Sequence, residues 1–204
     1  MNKAKRIAQI YNKERSIIVW RKEENIWWIT DKYSLYRLNK KEYIDFKLKY
    51  CSYVKQPYIK DLEVGQKASV WTGTKKINYN EDLNFEAVLK PFDTAINIIK
   101  TPFKFDKEDR IIRMLYTEDL KYTFVISNKY IEPINEEDKL FVEKGEQFSK
   151  VNVYDNNENI KSVLMPLRWF AYDETIGFTE EIEIEEKIMK DIESLAETTQ
   201  VLNY

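Results

Sequence analysis

Residues 16–38 read SIIVWRKEENIWWITDKYSLYRL, and this stretch decides the fold. Its first two β-rich runs, Ser16–Arg21 and Asn25–Thr30, are separated by the charged segment RKEEN, a pattern typical of a hairpin. A third β-rich run, Tyr33–Leu38, follows after a short break. The stretch therefore predicts three consecutive strands.

A helical pattern precedes these three strands. The apolar residues of segment 3–14 share one stripe, formed by Ala4, Ile7, Ala8 and Tyr11. The basic residues fall towards the other side, and they are Lys3, Lys5, Arg6 and Lys13. The segment predicts an amphipathic helix with a basic outer face, so the first unit is a helix followed by three strands.

The same plan recurs in the second half of the chain. Two β-rich runs, 110–117 and 120–127, meet at Glu118-Asp119, and Asn128 then opens a short helix. Three further β-rich runs follow, at 139–144, 150–155 and 161–168. The repeat predicts an α+β fold in which duplicated helix-plus-three-strand units form a single domain, residues 1–170.

The segment between the two units, residues 39–109, is less regular, and we interpret it as a divergent or inserted middle segment. It carries a mixed helical pattern over Asn39–Cys51, a hairpin pattern about Gly73, and a short helix from an Asn80 cap to Lys90. Residues 171–204 predict an acidic C-terminal helix and tail, whose apolar stripe is Ile184, Ile188, Ile192 and Leu195. Such a stripe docks either on its own domain or on a partner.

The composition argues against most catalytic chemistry. The chain contains no histidine, which is the usual general base near neutral pH and the commonest metal ligand. Its four glycines lie too far apart to form a phosphate-binding loop. We therefore expect no enzyme activity, no catalytic residue, no cofactor and no bound metal. The single cysteine, Cys51, and an N-terminal stretch without a signal-peptide core favour a cytoplasmic protein without a membrane partner.

Carboxylate chemistry is the one catalytic alternative that stays open. The segment FDKEDR places Asp106, Glu108 and Asp109 together, and these could hold a hard cation. Glu137-Asp138-Lys139 has the spacing of half a nuclease site. Both triplets are also typical of solvated turns in a chain with 35 acidic and 33 basic residues.

Charge is unevenly distributed along the chain. Residues 1–60 carry 15 Lys and Arg against 6 Asp and Glu, whereas residues 171–204 carry ten acidic residues and two lysines. Aromatic residues are interleaved with the basic ones, a pattern that single-stranded nucleic acid can use, although strand and helix spacing equally favours a core position for the rings. The rings are Tyr11, Trp20, Trp27, Trp28, Tyr33, Tyr36, Tyr43, Phe46, Tyr50 and Tyr53.

Three segments resemble the DNA polymerase sliding clamps, whose domains contain two such units. Ile29–Leu38, with its Thr30-Asp31 pair, resembles the strand-turn-strand segment of the first unit. Val125–Ile131 resembles the entry to the second helix, and Val163–Arg168 resembles the closing strand of bacterial clamps, which ends in Met-Pro-x-Arg. The chain is also similar to small clamp-like proteins of phages and mobile elements of low-GC bacteria.

The resemblance implies two binding sites. The basic first helix would face DNA through Lys3, Lys5, Arg6 and Lys13. The closing strand would border a groove for partner peptides, formed by Met165, Pro166, Leu167 and Arg168. A clamp ring needs several such domains, so a chain with one domain would have to assemble into a homo-oligomer to encircle DNA.

Three functional hypotheses follow. The first is a non-enzymatic clamp-like protein of a phage or mobile element that binds DNA or a replication or defence protein. The second is a phage-encoded inhibitor of a host nucleic-acid machine, such as an anti-CRISPR protein. Its acidic partner surface would be Glu180, Glu181, Glu183, Glu185 and Glu186. The third is a carboxylate-metal nuclease.

Overall fold

The computed structural model describes residues 2–55, 59–72, 76–79, 81–107, 110–119, 121–144 and 150–167, and only the backbone at 103, 105–107 and 110. Four helices lie within these residues: α1 Lys3–Tyr11, α2 Lys40–Val54, α3 Phe85–Leu89 and α4 Asn128–Ile131. Eleven strands accompany them: β1 Ser16–Glu23, β2 Ile26–Thr30, β3 Ser34–Asn39, β4 Lys67–Trp71, β5 Lys76–Asn78, β6 Ala95–Lys107, β7 Arg110–Thr117, β8 Thr123–Ser127, β9 Lys139–Glu143, β10 Val151–Tyr154 and β11 Ile160–Leu164. The predicted α+β class is confirmed.

All eleven strands belong to one antiparallel sheet, ordered β5-β4-β1-β2-β3-β11-β10-β9-β6-β7-β8. The three strands predicted from residues 16–38 form a meander, β1-β2-β3. A second meander, β9-β10-β11, joins it through the β3–β11 pair, in which Leu35 lies opposite Val163. A helix precedes each meander, α1 before β1 and α4 before β9.

Helices α1 and α2 cover the first face of the sheet. Their buried side chains include Ile7 and Tyr11 of α1 and Phe46 and Tyr50 of α2, which join the larger hydrophobic core. The Tyr11 and Phe46 rings meet edge to face, with centroids 6.4 Å apart. The apolar stripe predicted for α1 is therefore confirmed, and its burial against the sheet is what holds the helix in place.

Helix α3 covers part of the second face, over a smaller core that includes Trp20, Trp28 and Val163. The Phe85 ring of α3 lies 5.0 Å from the Trp20 ring, centroid to centroid. Two lysine side chains tie down the chain at either end of this short helix. The Lys67 ammonium donates to the Leu83 carbonyl at 2.6 Å, and the Lys150 ammonium donates to the carbonyls of Val88 and Lys90.

The middle segment supplies parts of the same sheet and core. Strand β4 pairs with β1, and β6 lies between β9 and β7. Helix α3 begins at Phe85, capped by the Asn84 side chain, so the prediction of a helix from an Asn80 cap is wrong. The helix begins after Asn84 because the Asn84 side-chain oxygen accepts a hydrogen bond from the Ala87 N–H at 3.1 Å.

The last described strand is shorter than predicted. Strand β11 ends at Leu164, whereas the sequence pattern extended it to 168. Pro166 has no N–H to give to a ladder, which explains the end of regular pairing. Beyond the strand, the Met165 N–H donates to the Tyr33 carbonyl at 2.9 Å and the Leu167 N–H to the Val125 carbonyl at 2.7 Å. The predicted C-terminal helix in 171–204 lies outside the described residues.

Candidate functional site

The four basic residues predicted to face DNA lie in different environments. The Lys3 ammonium donates to the Arg37 carbonyl at 3.1 Å, and burial lowers the pKa of Lys3 to about 8. Arg6 forms an ion pair with Glu132, with 2.9 Å between Nη2 and Oε2. Both side chains are thus engaged within the fold, which leaves them less available to phosphates.

Lys5 and Lys13 are exposed, and within the described residues neither forms a salt bridge. Lys5 lies on the outward side of α1, and Lys13 lies two residues beyond its last residue, Tyr11. The structure therefore leaves two of the four predicted cations, one on α1 and one just beyond it, open to a ligand.

Helix α2 adds lysines that the sequence pattern did not assign to a site. Lys40 and Lys41 are exposed in its first turn, and Lys55 is exposed at its C-cap. We call the exposed side of α1 and α2 the two-helix surface, with exposed cations at Lys5, Lys13, Lys40, Lys41 and Lys55. The sequence does contain a signal for the start of this helix, because Asn39 and Glu42 have the spacing of a capping box that begins a helix at residue 40.

Acidic side chains on these two helices are few and engaged. Helix α1 has none, and α2 has only Glu42 and Asp45. The Glu42 carboxylate accepts from the Asn39 N–H at 2.9 Å, and the Asp45 carboxylate accepts from the Asn2 side chain at 2.8 Å. The second contact also joins the start of α1 to α2. The two-helix surface consequently has a positive potential, because its five exposed lysines outnumber these two carboxylates.

A buried polar network fixes the end of α1 against the sheet. The Tyr11 hydroxyl lies 2.9 Å from the Ser34 hydroxyl, and the Ser34 hydroxyl donates to Asp31 Oδ1 at 3.0 Å. Asp31 also accepts from the Tyr130 hydroxyl at 2.6 Å on Oδ2. Burial raises the pKa of the Asp31 carboxyl, and burial with the nearby Asp31 charge raises the pKa of Tyr130 far above its usual range. Tyr130 therefore stays protonated and remains a donor.

The predicted peptide groove is only partly described. Met165 is 40% exposed, and its neighbour Tyr33 across the strand pair is 57% exposed, so the two form a small apolar patch. Pro166 and Leu167 are half-buried. Arg168 lies outside the described residues.

Most of the rings considered for base stacking are in the core. Eight of the ten are buried, and only Tyr33 and Tyr53 are exposed. Trp27, for example, stacks on Tyr43 with ring centroids 4.9 Å apart. The core interpretation of the aromatic pattern is therefore confirmed for these eight, and they cannot stack on bases without unfolding.

The second carboxylate triplet, Glu137-Asp138-Lys139, lies at the start of β9. Asp138 is buried, and its two oxygens accept from the Lys161 ammonium, both at 2.9 Å, while Glu137 and Lys139 are exposed. Glu108 and Asp109 lie outside the described residues, as does the side chain of Asp106. Within the part of the chain that the structure describes, no group of three or more potential ligands could hold a metal ion.

The predicted acidic surface, Glu180, Glu181, Glu183, Glu185 and Glu186, lies outside the described residues. None of the helices that the structure describes has the length and apolar character needed to cross a membrane. Comparisons with known proteins found no matching family model, no significantly similar curated protein and no significantly similar solved structure.

Proposed function

We propose that the protein is a non-enzymatic, clamp-like DNA-binding protein of a phage or mobile element, and that DNA contacts the two-helix surface. One observation carries this proposal: α1 and α2 lie side by side with five exposed lysines on or immediately beyond them, against three half-buried carboxylates, those of Glu14, Glu42 and Asp45. Exposed cations that outnumber the carboxylates around them are the electrostatic footprint expected of a protein that binds phosphates.

The arrangement of elements supports the clamp-like part of the proposal. Each meander follows a helix, and β3 and β11 join the two meanders at the centre of the sheet. Duplicated helix-plus-three-strand units would pair in this way. One such domain cannot enclose a duplex, so the proposal includes assembly into a homo-oligomer.

Salt dependence provides the test. Each phosphate contact releases counterions from duplex DNA, so five contacts would give a slope of about −4.5 in log K against log salt. Changing Lys5 and Lys41 to Gln removes two of them and would make the slope about 1.8 shallower. Fluorescence anisotropy with a labelled duplex, measured from low to moderate salt, gives both slopes.

The matched control changes two exposed lysines elsewhere in the fold. Lys121 lies in the β7–β8 connection and Lys144 follows β9, and both are exposed. Their double change to Gln alters the net charge equally and is expected to leave the slope unchanged. No measurable binding at low salt would remove DNA as the partner, and equal effects of the two double variants would remove the two-helix surface as its binding site.

A protein partner at the Tyr33–Met165 patch is the second candidate. It is favoured by the adjacent exposure of two large apolar side chains beside the predicted groove. Met165→Glu should abolish capture of a replication or defence protein, whereas Met165→Leu should preserve it.

The inhibitor hypothesis, in which the acidic residues compete for a basic channel, predicts that removal of residues 171–204 abolishes capture of the host machine. Metal-dependent cleavage of DNA by the intact chain would instead support the nuclease hypothesis.

A further inference from the structure

Helix α2 has a second apolar stripe that does not face the sheet. Its buried stripe includes Tyr43, Phe46 and Tyr50. On the outward side, Ile44 is 43% exposed and Leu48 is 59% exposed. Side chains four residues apart on a helix are neighbours, so these two aliphatic residues form one ridge. We call Ile44 and Leu48 the α2 ridge.

Cations lie at both ends of the α2 ridge. Lys41 is three residues before Ile44, so these two residues and Leu48 fall on one side of the helix. Lys55, seven residues after Leu48, is the C-cap residue at the end of the helix. Both lysines are exposed. From Lys41 to Lys55 the stripe is about 21 Å long at the usual helical rise. Its pattern is a cation, an apolar centre and a second cation, and the Asp45 carboxylate beside it accepts from the Asn2 side chain at 2.8 Å.

The ridge is held rigidly. Asn39 and Glu42 form a reciprocal capping box at the first turn, and Lys55 closes the helix in a left-handed conformation with φ of 51°. The buried stripe packs into the larger core. A partner would therefore bind a preformed surface, without having to order it first.

We propose that the α2 ridge and its flanking lysines bind an acidic amphipathic helix of a partner protein. The apolar centre requires an apolar counterpart, because covering it with hydrated phosphates or sugars would gain nothing from its burial. The two cations require carboxylates about three to four helical turns apart. An amphipathic helix with an apolar stripe and acidic flanks meets both requirements, in the helix-on-helix manner of many peptide-recognition sites.

Two other occupants fit the stripe less well. A second copy of the chain, packed antiparallel across a two-fold axis, would place Lys41 of one copy beside Lys55 of the other, and like charges repel. Parallel packing would place each lysine beside its own equivalent. Duplex DNA would satisfy the lysines and leave Ile44 and Leu48 against hydrated backbone. The proposal does not depend on DNA binding at the two-helix surface.

The experiment uses the full chain and two labelled synthetic peptides. One is a helix-forming 18-residue peptide with leucines at helical spacing and glutamates elsewhere, and the other has the same composition in scrambled order. Fluorescence anisotropy should show the amphipathic peptide binding about tenfold more tightly than the scrambled one, since only it presents a stripe. Equal binding of the two peptides would reduce the contact to charge attraction and overturn the proposal.

Leu48→Asp tests the ridge, and Val64→Asp is its matched control. Val64 is also 59% exposed and lies outside α2, so the two variants make the same change at equal exposure. Leu48→Asp should weaken binding of the amphipathic peptide about tenfold or more, as loss of a central apolar contact does, and Val64→Asp should leave it unchanged. Retained binding by Leu48→Asp would overturn the proposal. If Leu48→Asp melts at a lower temperature than the wild type, Leu48→Ser is used as the test variant instead.

The remaining outcomes assign the ridge elsewhere. A wild-type native mass of two chains that falls to one in Leu48→Asp would make the occupant a second copy. Loss of duplex binding in Leu48→Asp without loss of peptide binding would assign the ridge to DNA. Failure of the DNA proposal alone leaves this one intact, because the peptide assay contains no nucleic acid and Leu48 carries no charge.

Discussion

Removal of the Tyr130 hydroxyl should destabilise the protein more at neutral pH than at acidic pH. The hydroxyl donates to Asp31 Oδ2 at 2.6 Å, and both residues are buried. The other carboxylate oxygen accepts from the N–H groups of Tyr33 and Ser34, at 3.0 and 2.8 Å, and from the Ser34 hydroxyl. Tyr130→Phe therefore takes away the donor to one oxygen and leaves the other oxygen satisfied.

The magnitude depends on the charge of Asp31. A hydrogen bond to a charged group contributes about 1.5–3 kcal/mol, and one between neutral groups about 0.5–1.5 kcal/mol. The variant should thus lose about 1.5–3 kcal/mol where Asp31 is ionised and about 1 kcal/mol less where it is protonated.

The pH window follows from the direction of the pKa shift. Burial raises the pKa of folded Asp31, so the folded state binds more protons than the unfolded state and stability falls as pH rises through that raised pKa. The Tyr130 hydrogen bond lowers the same pKa. Without it, the pKa of Asp31 should rise further, and the fall in stability should be larger and extend to higher pH.

Urea unfolding followed by tryptophan fluorescence at about pH 4 and pH 7 measures the loss in free energy of unfolding caused by Tyr130→Phe at each pH. Tyr50→Phe is the control, because the buried Tyr50 hydroxyl lies 3.0 Å from the neutral Thr72 hydroxyl, so its loss should cost the same at both pH values. A Tyr130→Phe cost that is equal at the two pH values, or smaller at pH 7, would refute an ionised, hydrogen-bonded Asp31 in the folded protein.

Three further substitutions test other parts of the fold. Burial lowers the pKa of Lys3 from 10.5 to about 8, so at this residue the unfolded state binds more protons in that window; the free energy of unfolding of the wild type minus that of Lys3→Met should therefore rise between about pH 8 and 10.5 in urea titrations. Asn152 is fully buried, and neither of its side-chain polar atoms has a partner within the described residues, so Asn152→Leu should raise the free energy of unfolding by about 1–3 kcal/mol. Phe85→Ala should lower it by about 3–5 kcal/mol, measured in the same way, because the ring packs on Trp20 in the smaller core.

Local sequence was sufficient where the partner of each residue lies nearby. The strands of residues 16–38 form as predicted because each run is rich in β-branched and aromatic residues that fill the two faces of the sheet. The Thr30-Asp31 turn forms because both side chains accept from backbone N–H groups within three residues. Such contacts are encoded in a few adjacent positions.

Elements that break the local rules were predicted incompletely, as α2 was from the mixed helical pattern over Asn39–Cys51, or missed, as β6 was. Helix α2 buries Lys47, whose ammonium reaches Asp61 Oδ1 at 2.6 Å, so its apolar stripe appears interrupted in the sequence. Strand β6 contains Pro102, which lies where the pairing with β7 shifts register between Lys100 and Lys104. Proline in a strand normally argues against that strand, and the bulge is what accommodates it. Tertiary contacts decided both elements.

The candidate site shows the same dependence on distant partners. Lys3 and Arg6 occupy the basic side of α1 in any helical projection, yet Arg37 and Glu132 engage them from 34 and 126 residues away. No pattern within residues 3–14 can reveal those contacts. Helical periodicity predicts which side of a helix faces the core, and it does not predict which cations on the other side remain available.

Lys41 belongs both to the two-helix surface and to the stripe that contains the α2 ridge, whereas Leu48 belongs to the ridge alone. Substitutions at these two residues can therefore distinguish the two proposed partners. DNA and the acidic helix both require the Lys41 charge, so they should compete for the wild-type protein. Lys41→Gln should weaken binding of both ligands, whereas Leu48→Asp should remove the apolar contact that only the helix makes. It also adds a negative charge, which would weaken DNA binding modestly, and Leu48→Ser removes the apolar contact without that charge. If Lys41→Gln weakens binding of both ligands and Leu48→Ser weakens binding of the acidic helix alone, the protein uses α2 to bind both.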